Sequence, residues 1–147
     1  DQIKKLREQT GAGIADVRKA LEESIGDEKK AEELLRSWGI DKAAAKADRA
    51  VGQGLVETYI HSGGKVGSMV EINCETDFVA RTDEFKNLAH EVAMQVAAMD
   101  PKNVEELLKQ EYIRDAGKTI DDLVKESIAK LGENIVIKRF MRFELGS

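Results

Sequence analysis

The stretch Leu55-Val-Glu-Thr-Tyr-Ile-His-Ser-Gly-Gly-Lys-Val-Gly-Ser-Met-Val-Glu-Ile-Asn-Cys74 decides the fold class of this chain. Val, Ile and Tyr are frequent in both of its halves, as is typical of β-strands. In the second half, alternate residues from Val66 onward share one face, which predicts a strand buried on one side. Gly63 and Gly64 tolerate positive φ and predict a two-residue hairpin turn between the two strands.

Helical patterns follow this hairpin along the chain. Residues 83–99 carry an apolar stripe at helical spacing, and Thr82 is the predicted N-cap of that helix. Pro101 suits the first position of a further short helix. The capping box of Thr119–Asp122 predicts another helix, which Gly132 ends.

A third strand is predicted near the carboxyl end, in residues 135–145. Arg139 interrupts its apolar face, whose members are Ile135, Ile137, Met141, Phe143 and Leu145. The hairpin is antiparallel by construction, whereas parallel pairing needs long crossovers. The predicted class is therefore α+β, with a three-stranded antiparallel sheet packed with helices on one face.

Residues 1–39 predict three short amphipathic helices, the last of which ends at Gly39. The second helix carries a predicted core stripe of Ile14, Val17, Leu21 and Ile25. Helices this short are marginal alone in water, so we expect them to pack together as a bundle. Residues 40–54 are rich in Ala, Lys and Asp and predict a linker, and residues 55–147 form the predicted α+β core subdomain.

Composition narrows the classes of function. A length of 147 residues suits one main domain. Lys and Arg number 23 and Asp and Glu 28, a net charge of −5, which argues against a general nucleic-acid binder. No apolar run approaches the roughly 20 residues that span a bilayer, and no segment has the pattern of a signal peptide. We therefore expect a cytoplasmic protein that contacts neither membrane nor nucleic acid.

Few residues offer covalent or metal chemistry. Cys74 is the only cysteine, and its place at the end of an alternating apolar face predicts a buried thiol. His61 and His90 lack a further ligand at metal-binding spacing, so we expect no metal site. Gly11-Ala-Gly13 lacks the preceding strand and the further glycine of a dinucleotide-binding loop, so we expect no cofactor.

One polar segment between the second strand and the next helix holds a large aromatic side chain: Glu75-Thr-Asp-Phe-Val-Ala-Arg81. Phe78 either folds under the sheet or is presented to solvent as the anchor of an interface. Composition alone leaves both interpretations open, although aromatic anchors are typical of interface hot spots.

Three motifs follow one another along the chain. The first is Lys5-Leu-Arg-Glu-Gln-Thr-Gly-Ala-Gly13 followed by Asp16-Val-Arg-Lys-Ala-Leu21. The second is Glu71-Ile-Asn-Cys-Glu-Thr-Asp-Phe-Val-Ala-Arg81, and the third is Gly132-Glu-Asn-Ile135 followed by Lys138-Arg-Phe140. In this order, the three motifs resemble those of the bacterial elongation factor Ts family. The small amino-terminal module of that family is a ubiquitin-associated-like three-helix bundle, in agreement with the prediction for residues 1–39.

The resemblance implies guanine-nucleotide exchange on the GTPase elongation factor Tu during translation elongation, without covalent catalysis. It implies that one segment enters the GTPase near its switch region and that Phe78 disturbs the magnesium site there. The residues of this segment are Thr76, Asp77, Phe78 and Val79. It also implies that a surface of the bundle contacts a helix of the GTPase domain, through Arg7, Ile14, Ala15 and Arg18. Ile14 fits the bundle core equally well.

The chain is short for the family that it resembles. Many members carry a second subdomain or a long helical hairpin, whereas 18 residues, Pro101–Lys118, separate the two helices here. An unpaired edge of a three-stranded sheet gives such a chain a physical reason to homodimerise. The homodimer is a hypothesis, and an organellar matrix is an alternative to the cytoplasm.

Two other classes of function stay open. The bundle could dock a different partner without nucleotide exchange, with the sheet serving only as a scaffold. A small hydrolase or thiol enzyme that uses Cys74 and His61 ranks last.

Overall fold

Three helices begin the chain in the computed structural model, which describes residues 1–147. They are α1 (Gln2–Thr10), α2 (Ile14–Glu23) and α3 (Glu28–Lys46). Their buried apolar side chains form a small core of Leu6, Val17, Ala20, Ala31 and Leu35. Asp27 caps α3 by accepting a hydrogen bond from the backbone of Lys30, because the first turn of a helix leaves N–H groups without partners.

The predicted core stripe of α2 is wrong at both of its ends. Ile14 is half exposed at the first position of α2, and Ile25 lies beyond the end of the helix with 93% of its surface exposed. The helix ends at Glu23 and the chain then turns sharply, with positive φ at both Ile25 and Gly26. The turn rotates Ile25 away from the face that Val17 occupies.

The remainder of the chain holds five strands and four helices. In chain order they are β1 (Gln53–Ile60), β2 (Val66–Cys74), α4 (Asp77–Ala80), α5 (Asp83–Met99), α6 (Val104–Lys109), β3 (Glu111–Tyr112), β4 (Asp115–Thr119), α7 (Ile120–Leu131) and β5 (Ile135–Glu144). The main sheet has the order β1-β2-β5, and both pairs of neighbours are antiparallel. The predicted α+β class and its three-stranded antiparallel sheet are confirmed.

The core of this larger part lies between the sheet and the helices. Val70, Ile72 and Cys74 point inward from β2, as their alternation predicts, and are fully buried. They pack with the apolar stripe of α5, which includes Phe85 and Val92. Thr82 is the N-cap of α5, and Thr119 and Asp122 form a complete capping box on α7.

The hairpin between β1 and β2 is longer than the predicted two-residue turn. His61 donates its backbone N–H to the carbonyl of Val66, so four residues lie in the loop that this pair closes. Gly63 and Gly64 do adopt positive φ, of 96° and 73°. The strand register pairs Ile60 with Gly67 and leaves more chain to turn than two residues.

The third helix continues past Gly39, where the sequence predicts its end. It runs to Lys46 because Gly39 packs against Ala129 of α7, where the glycine supplies close approach instead of a left-handed cap. Residues 40–46 of the predicted linker are therefore helical, and Ala43 lies in the core of the larger part. The division into units of 1–39, 40–54 and 55–147 stays a prediction.

The predicted single apolar face of the last strand is wrong, because a β-bulge divides it. Glu71 pairs with Arg139 and Ile72 pairs with Ile137, so Lys138 has no partner in the register. The bulge exchanges the two faces of β5. Ile135 and Ile137 are buried, whereas the later members of the predicted face lie on the outer surface: Met141, Phe143 and Leu145.

The segment between α5 and α7 holds a small hairpin that the sequence pattern did not predict. It consists of β3 and β4, which pair antiparallel with each other. The preceding helix α6 begins at Val104 with Asn103 as its N-cap, so Pro101 precedes the helix and does not occupy its first position. The fully buried Gln95 fixes the hairpin by bonding to Gln110 and to the backbone of Glu111 and Ile113.

Candidate functional site

Phe78 stands on a short turn of helix between β2 and α5. Thr76 is the N-cap of this four-residue helix, α4, and its hydroxyl accepts a hydrogen bond from the backbone of Val79 at 3.2 Å. Phe78 is 78% exposed, whereas Val79 and Ala80 are buried in the core. Of the two interpretations of Phe78 that composition leaves open, the structure favours presentation to solvent.

The other members of this predicted site divide between surface and core. Asp77 is exposed and forms an ion pair with Arg81 at 2.8 Å, one helical turn further on. Thr76 is exposed as well. The side chain of Val79 is only 6% exposed and packs in the core beneath the turn, and its contact with a partner stays a prediction.

The loop after α7 holds this turn in place through a carboxylate. Glu133 accepts hydrogen bonds from the backbone N–H groups of Glu75 and Thr76, at 3.1 and 3.0 Å. Its second oxygen accepts the hydroxyl proton of Thr76 at 2.7 Å. The sequence did not predict a role for Glu133, although this residue lies within the motif Gly132-Glu-Asn-Ile135.

A second set of contacts joins the same two loops, and here the loop after β2 supplies the acceptor carboxylate. The carboxylate of Glu75 accepts the backbone N–H of Asn134 at 2.6 Å and forms an ion pair with Arg49 at 3.6 Å. The buried side chain of Asn134 donates to the carbonyl groups of Ala47 and Arg49. Three segments that are distant in sequence are thereby joined at the base of the Phe78 turn.

The four predicted contact residues of the bundle lie on an exposed surface. Arg7 is in the last turn of α1, and Ile14, Ala15 and Arg18 are in the first turns of α2. Arg7 and Ile14 line the same hollow between the two helices. Ile14, whose role the sequence leaves open, contributes to this surface and not to the bundle core.

The carboxyl end of α7 connects the two predicted contact segments. The side chain of Lys130 lies directly beneath Gly11, in the turn between α1 and α2, and pairs with Glu84 at the start of α5. Three residues later, Glu133 holds the turn that carries Phe78. The bundle surface and the Phe78 turn therefore flank the same structural element.

Comparisons with known proteins cover nearly the whole chain. The family profile described as Elongation factor TS matches residues 75–147. The Elongation factor Ts of Thermoanaerobacter pseudethanolicus is 46% identical over 189 aligned residues, which take in 98% of this chain and 93% of that protein. The Elongation factor Ts of Coprothermobacter proteolyticus is 43% identical, with 98% and 96% covered. The chain belongs to the elongation factor Ts family. It is thus a translation elongation factor by family.

This chain is shorter internally than these two relatives. Aligning 147 residues over 189 positions leaves at least 42 positions that only the relative fills. The Elongation factor Ts of Nostoc sp. is 51% identical over 143 residues, which cover 97% of this chain and 45% of that protein. None of the seven helices combines the length and apolarity needed to cross a bilayer.

Cys74 and His61 lie too far apart to act together. Cys74 pairs with Gln53 at one end of the β1–β2 ladder, whereas His61 follows Ile60 at the other end, roughly 25 Å away at the rise of a strand. The buried thiol donates to the carbonyl of Thr76 at 3.2 Å. Burial raises the pKa of Cys74, and the nearby charge of Glu133 adds to the shift. The thiol-enzyme hypothesis therefore has no support in the geometry.

The outer face of the main sheet is a second exposed surface of this chain. It carries six apolar side chains that are each half exposed or more: Val56, Ile60, Met69, Met141, Phe143 and Leu145. Arg139 and Glu71 form an ion pair across this face at 2.8 Å. The hydrogen bond from Arg139 holds the pKa of Glu71 below its usual value. The helices cover only the opposite face.

Proposed function

We propose that this chain is a guanine-nucleotide exchange factor that accelerates the release of GDP from elongation factor Tu through protein contact. The exposure of Phe78 on an anchored turn is the observation that carries the proposal. The resemblance of the surrounding motif implies the same role. The action needs no covalent step, cofactor, nucleic acid or membrane, and it takes place where translation occurs, in the cytoplasm or an organellar matrix.

Phe78 is suited to enter a partner because its supporting residues are already fixed. Moving an exposed phenylalanine into an apolar pocket contributes about 2 kcal/mol of binding free energy. Val79 and Ala80 are buried in the core beside it. Binding therefore orders little additional backbone, which reduces the entropic cost of association.

Exchange follows from the different affinities of the factor for the forms of the GTPase. In such GTPases, phosphate-loop amides, a lysine and Mg²⁺ hold the nucleotide phosphates. A side chain that displaces residues near the magnesium site leaves the phosphate charge less neutralised, which weakens nucleotide binding. Linkage requires that the nucleotide weakens binding of the factor by the same ratio.

The surface of the bundle supplies a second contact in this proposal. Arg7 and Arg18 present exposed positive charge, and Ile14 and Ala15 present exposed apolar surface. Arg7 and Ile14 line the same hollow between α1 and α2. Such a mixed patch suits the surface of a helix in the GTPase domain. In this proposal the bundle contact increases the affinity for the GTPase, whereas the Phe78 turn disturbs the magnesium site.

Substitution of Phe78 provides the direct test. We expect Phe78→Ala to slow the stimulated release of a fluorescent GDP analogue from elongation factor Tu by tenfold or more, that is, by about 1.4 kcal/mol or more of transition-state stabilisation. The matched control is Met99→Ala, which removes a half-exposed apolar side chain at the opposite end of α5. Unchanged release in the Phe78 variant, or no stimulation by the natural chain, would contradict the proposal.

We further propose that two copies of this chain associate through the outer face of the main sheet. The six apolar side chains on that face form a larger exposed apolar surface than isolated residues would, which is a feature of interaction sites. A second copy would cover it as sheets cover each other in a sandwich, about 10 Å apart. A dyad axis through the face would make the contact self-complementary.

Sedimentation of the full chain tests this association. We expect a dimer at micromolar concentration and a monomer when Phe143→Lys places a charge among the apolar side chains of the face. Met99→Lys is the control, because Met99 is half exposed at the end of α5, on the side of the sheet that the helices cover. A monomeric natural chain would overturn the dimer and leave the exchange proposal to be decided by the GDP assay.

A further inference from the structure

The turn that carries Phe78 is too short to hold its own conformation. The helix α4 has four residues, Asp77–Ala80, and helices of this length are not stable in water without tertiary support. Its buried members, Val79 and Ala80, fix one side of the turn. The other side, where the chain leaves β2, is fixed by a residue 57 positions away in the sequence.

We propose that Glu133 is a positioning residue that holds the turn of Thr76 to Ala80 in the conformation that presents Phe78. Three hydrogen bonds of Glu133 support the inference. The expected effect on GDP release rests on the proposed exchange function. Glu133 makes these bonds to the backbone of Glu75 and to the backbone and hydroxyl of Thr76. A charged acceptor makes such bonds stronger than neutral groups would.

The hydroxyl of Thr76 passes the effect of Glu133 to the turn. It donates its one proton to Glu133 at 2.7 Å and accepts the backbone N–H of Val79 at 3.2 Å. The carboxylate thereby orients the hydroxyl so that a lone pair faces the helix. Phe78 lies between Thr76 and Val79, which these hydrogen bonds connect. The bonds therefore restrict the backbone of Phe78.

Glu133 is itself held by the neighbouring contacts. The next residue, Asn134, donates its backbone N–H to Glu75 and its side-chain amide to the carbonyl groups of Ala47 and Arg49. The position of the carboxylate is therefore tied to the end of α3. This arrangement fixes Glu133 before any partner binds, as a preorganised positioning group requires.

The chain of bonds predicts coupling between Glu133 and Phe78. If Glu133 acts by positioning Phe78, Glu133→Ala should slow stimulated GDP release by about tenfold, since small displacements of a positioned group cost ten- to a hundredfold. In a Phe78→Ala background the same substitution should cause no further loss. A role in general stability alone would instead give the same loss in both backgrounds.

Two further variants separate positioning from a loss of charge or of fold. Glu133→Gln retains one acceptor oxygen for the two backbone N–H groups. Its rate of stimulated GDP release should therefore lie between the rates of the natural chain and of Glu133→Ala. Glu105→Ala removes an exposed carboxylate that pairs with Lys109 on α6 and should leave release unchanged. If Glu133→Ala fails to fold, Glu133→Gln replaces it in the coupling test. Its loss of stimulated GDP release is then compared between the natural chain and the Phe78→Ala background.

Amide hydrogen exchange in the free chain tests the geometry without the GTPase. Glu133→Ala should accelerate exchange at Thr76 and Val79 by at least tenfold while Val92, in the centre of α5, keeps its protection. Unchanged protection at Thr76 and Val79, or equal losses of release in the two backgrounds, would overturn the inference. If the natural chain stimulates no release, the exchange function fails, and the amide measurement alone then decides the role of Glu133.

Discussion

Ile25 is the residue whose backbone conformation fits its side chain least. Its φ is +55° in the turn between α2 and α3, where a β-branched side chain is crowded against its own backbone. Packing of the side chain does not offset the strain, because 93% of its surface is exposed. The sequence predicts Ile25 as a core residue, since its spacing from Val17 and Leu21 is helical. The end of the helix at Glu23 overrides that spacing.

Replacing Ile25 with a residue that tolerates the left-handed region should stabilise the protein. We expect Ile25→Asn to raise the free energy of unfolding by about 1 kcal/mol, because asparagine adopts positive φ more readily than isoleucine does. Urea denaturation measures the change. Ile14→Asn, at a half-exposed helical position, is the control and should not stabilise. A loss of stability in the Ile25 variant would contradict the strain argument.

At the scale of the element, α3 shows why glycine is an ambiguous signal. Gly39 predicts a helix end in the sequence, because glycine commonly occupies the left-handed position after a helix. In the structure it lies within the helix and faces Ala129 of α7. The absence of a side chain serves packing between helices here, and only the position of α7 reveals this.

Two alanine substitutions distinguish these uses of glycine by opposite signs. A Cβ at Gly39 would meet Ala129 at an ordinary contact distance of 3.6 Å, so Gly39→Ala should stabilise by about 0.5 to 1 kcal/mol through helix propensity. Gly26 has φ +78° in open space, so Gly26→Ala should destabilise by about 1 kcal/mol. Urea denaturation of both variants checks the signs, and destabilisation by Gly39→Ala would favour the predicted helix end instead.

The last strand, β5, shows a limit of alternation as a guide to burial. Its residues alternate between the inner and outer faces of the sheet on either side of Lys138. The extra residue at the bulge makes the residues after it point to the opposite face from the one that simple alternation predicts. A strand slip of one residue reverses every side chain that follows it. The exposed surface that we propose for dimerisation therefore exists because of the bulge, which depends on pairing with β2.

At the scale of the whole molecule, α3 joins two hydrophobic cores. Ala31 and Leu35 belong to the core of the bundle, and Ala43 belongs to the core beneath the sheet. The extended end of the helix is also tied to α2 by the ion pair of Lys42 with Asp16. A continuous helix shared by two cores transmits unfolding from one to the other, unlike a linker.

Unfolding of the two parts should therefore be cooperative. We expect the fluorescence of Trp38, which lies in the bundle beside α7, and the reactivity of the buried Cys74 thiol to change at the same urea concentration. Gly39→Pro should separate the two transitions, because proline breaks the helix between the cores. Two separate midpoints in the natural chain would contradict this coupling.

The candidate site divides in the same way between sequence and tertiary structure. Arg7, Ile14, Ala15, Arg18 and the segment from Thr76 to Val79 are placed as site residues by the resemblance of local motifs. Their exposure, and the burial of Val79 among them, follows from the packing around each turn. Glu133 and Asn134 escaped prediction as supports because their partners lie more than fifty residues away.

The sequence by itself determined the α+β class, the caps at Thr82 and Thr119, and the family, because these depend on local patterns of residues. Tertiary structure alone decided the length of α3, the faces of β5 and the support beneath Phe78. The physical reason is the range of the interactions. Hydrogen bonds within a turn involve near neighbours in sequence, whereas helix packing, strand register and the contacts of Glu133 join segments that only the folded chain brings together.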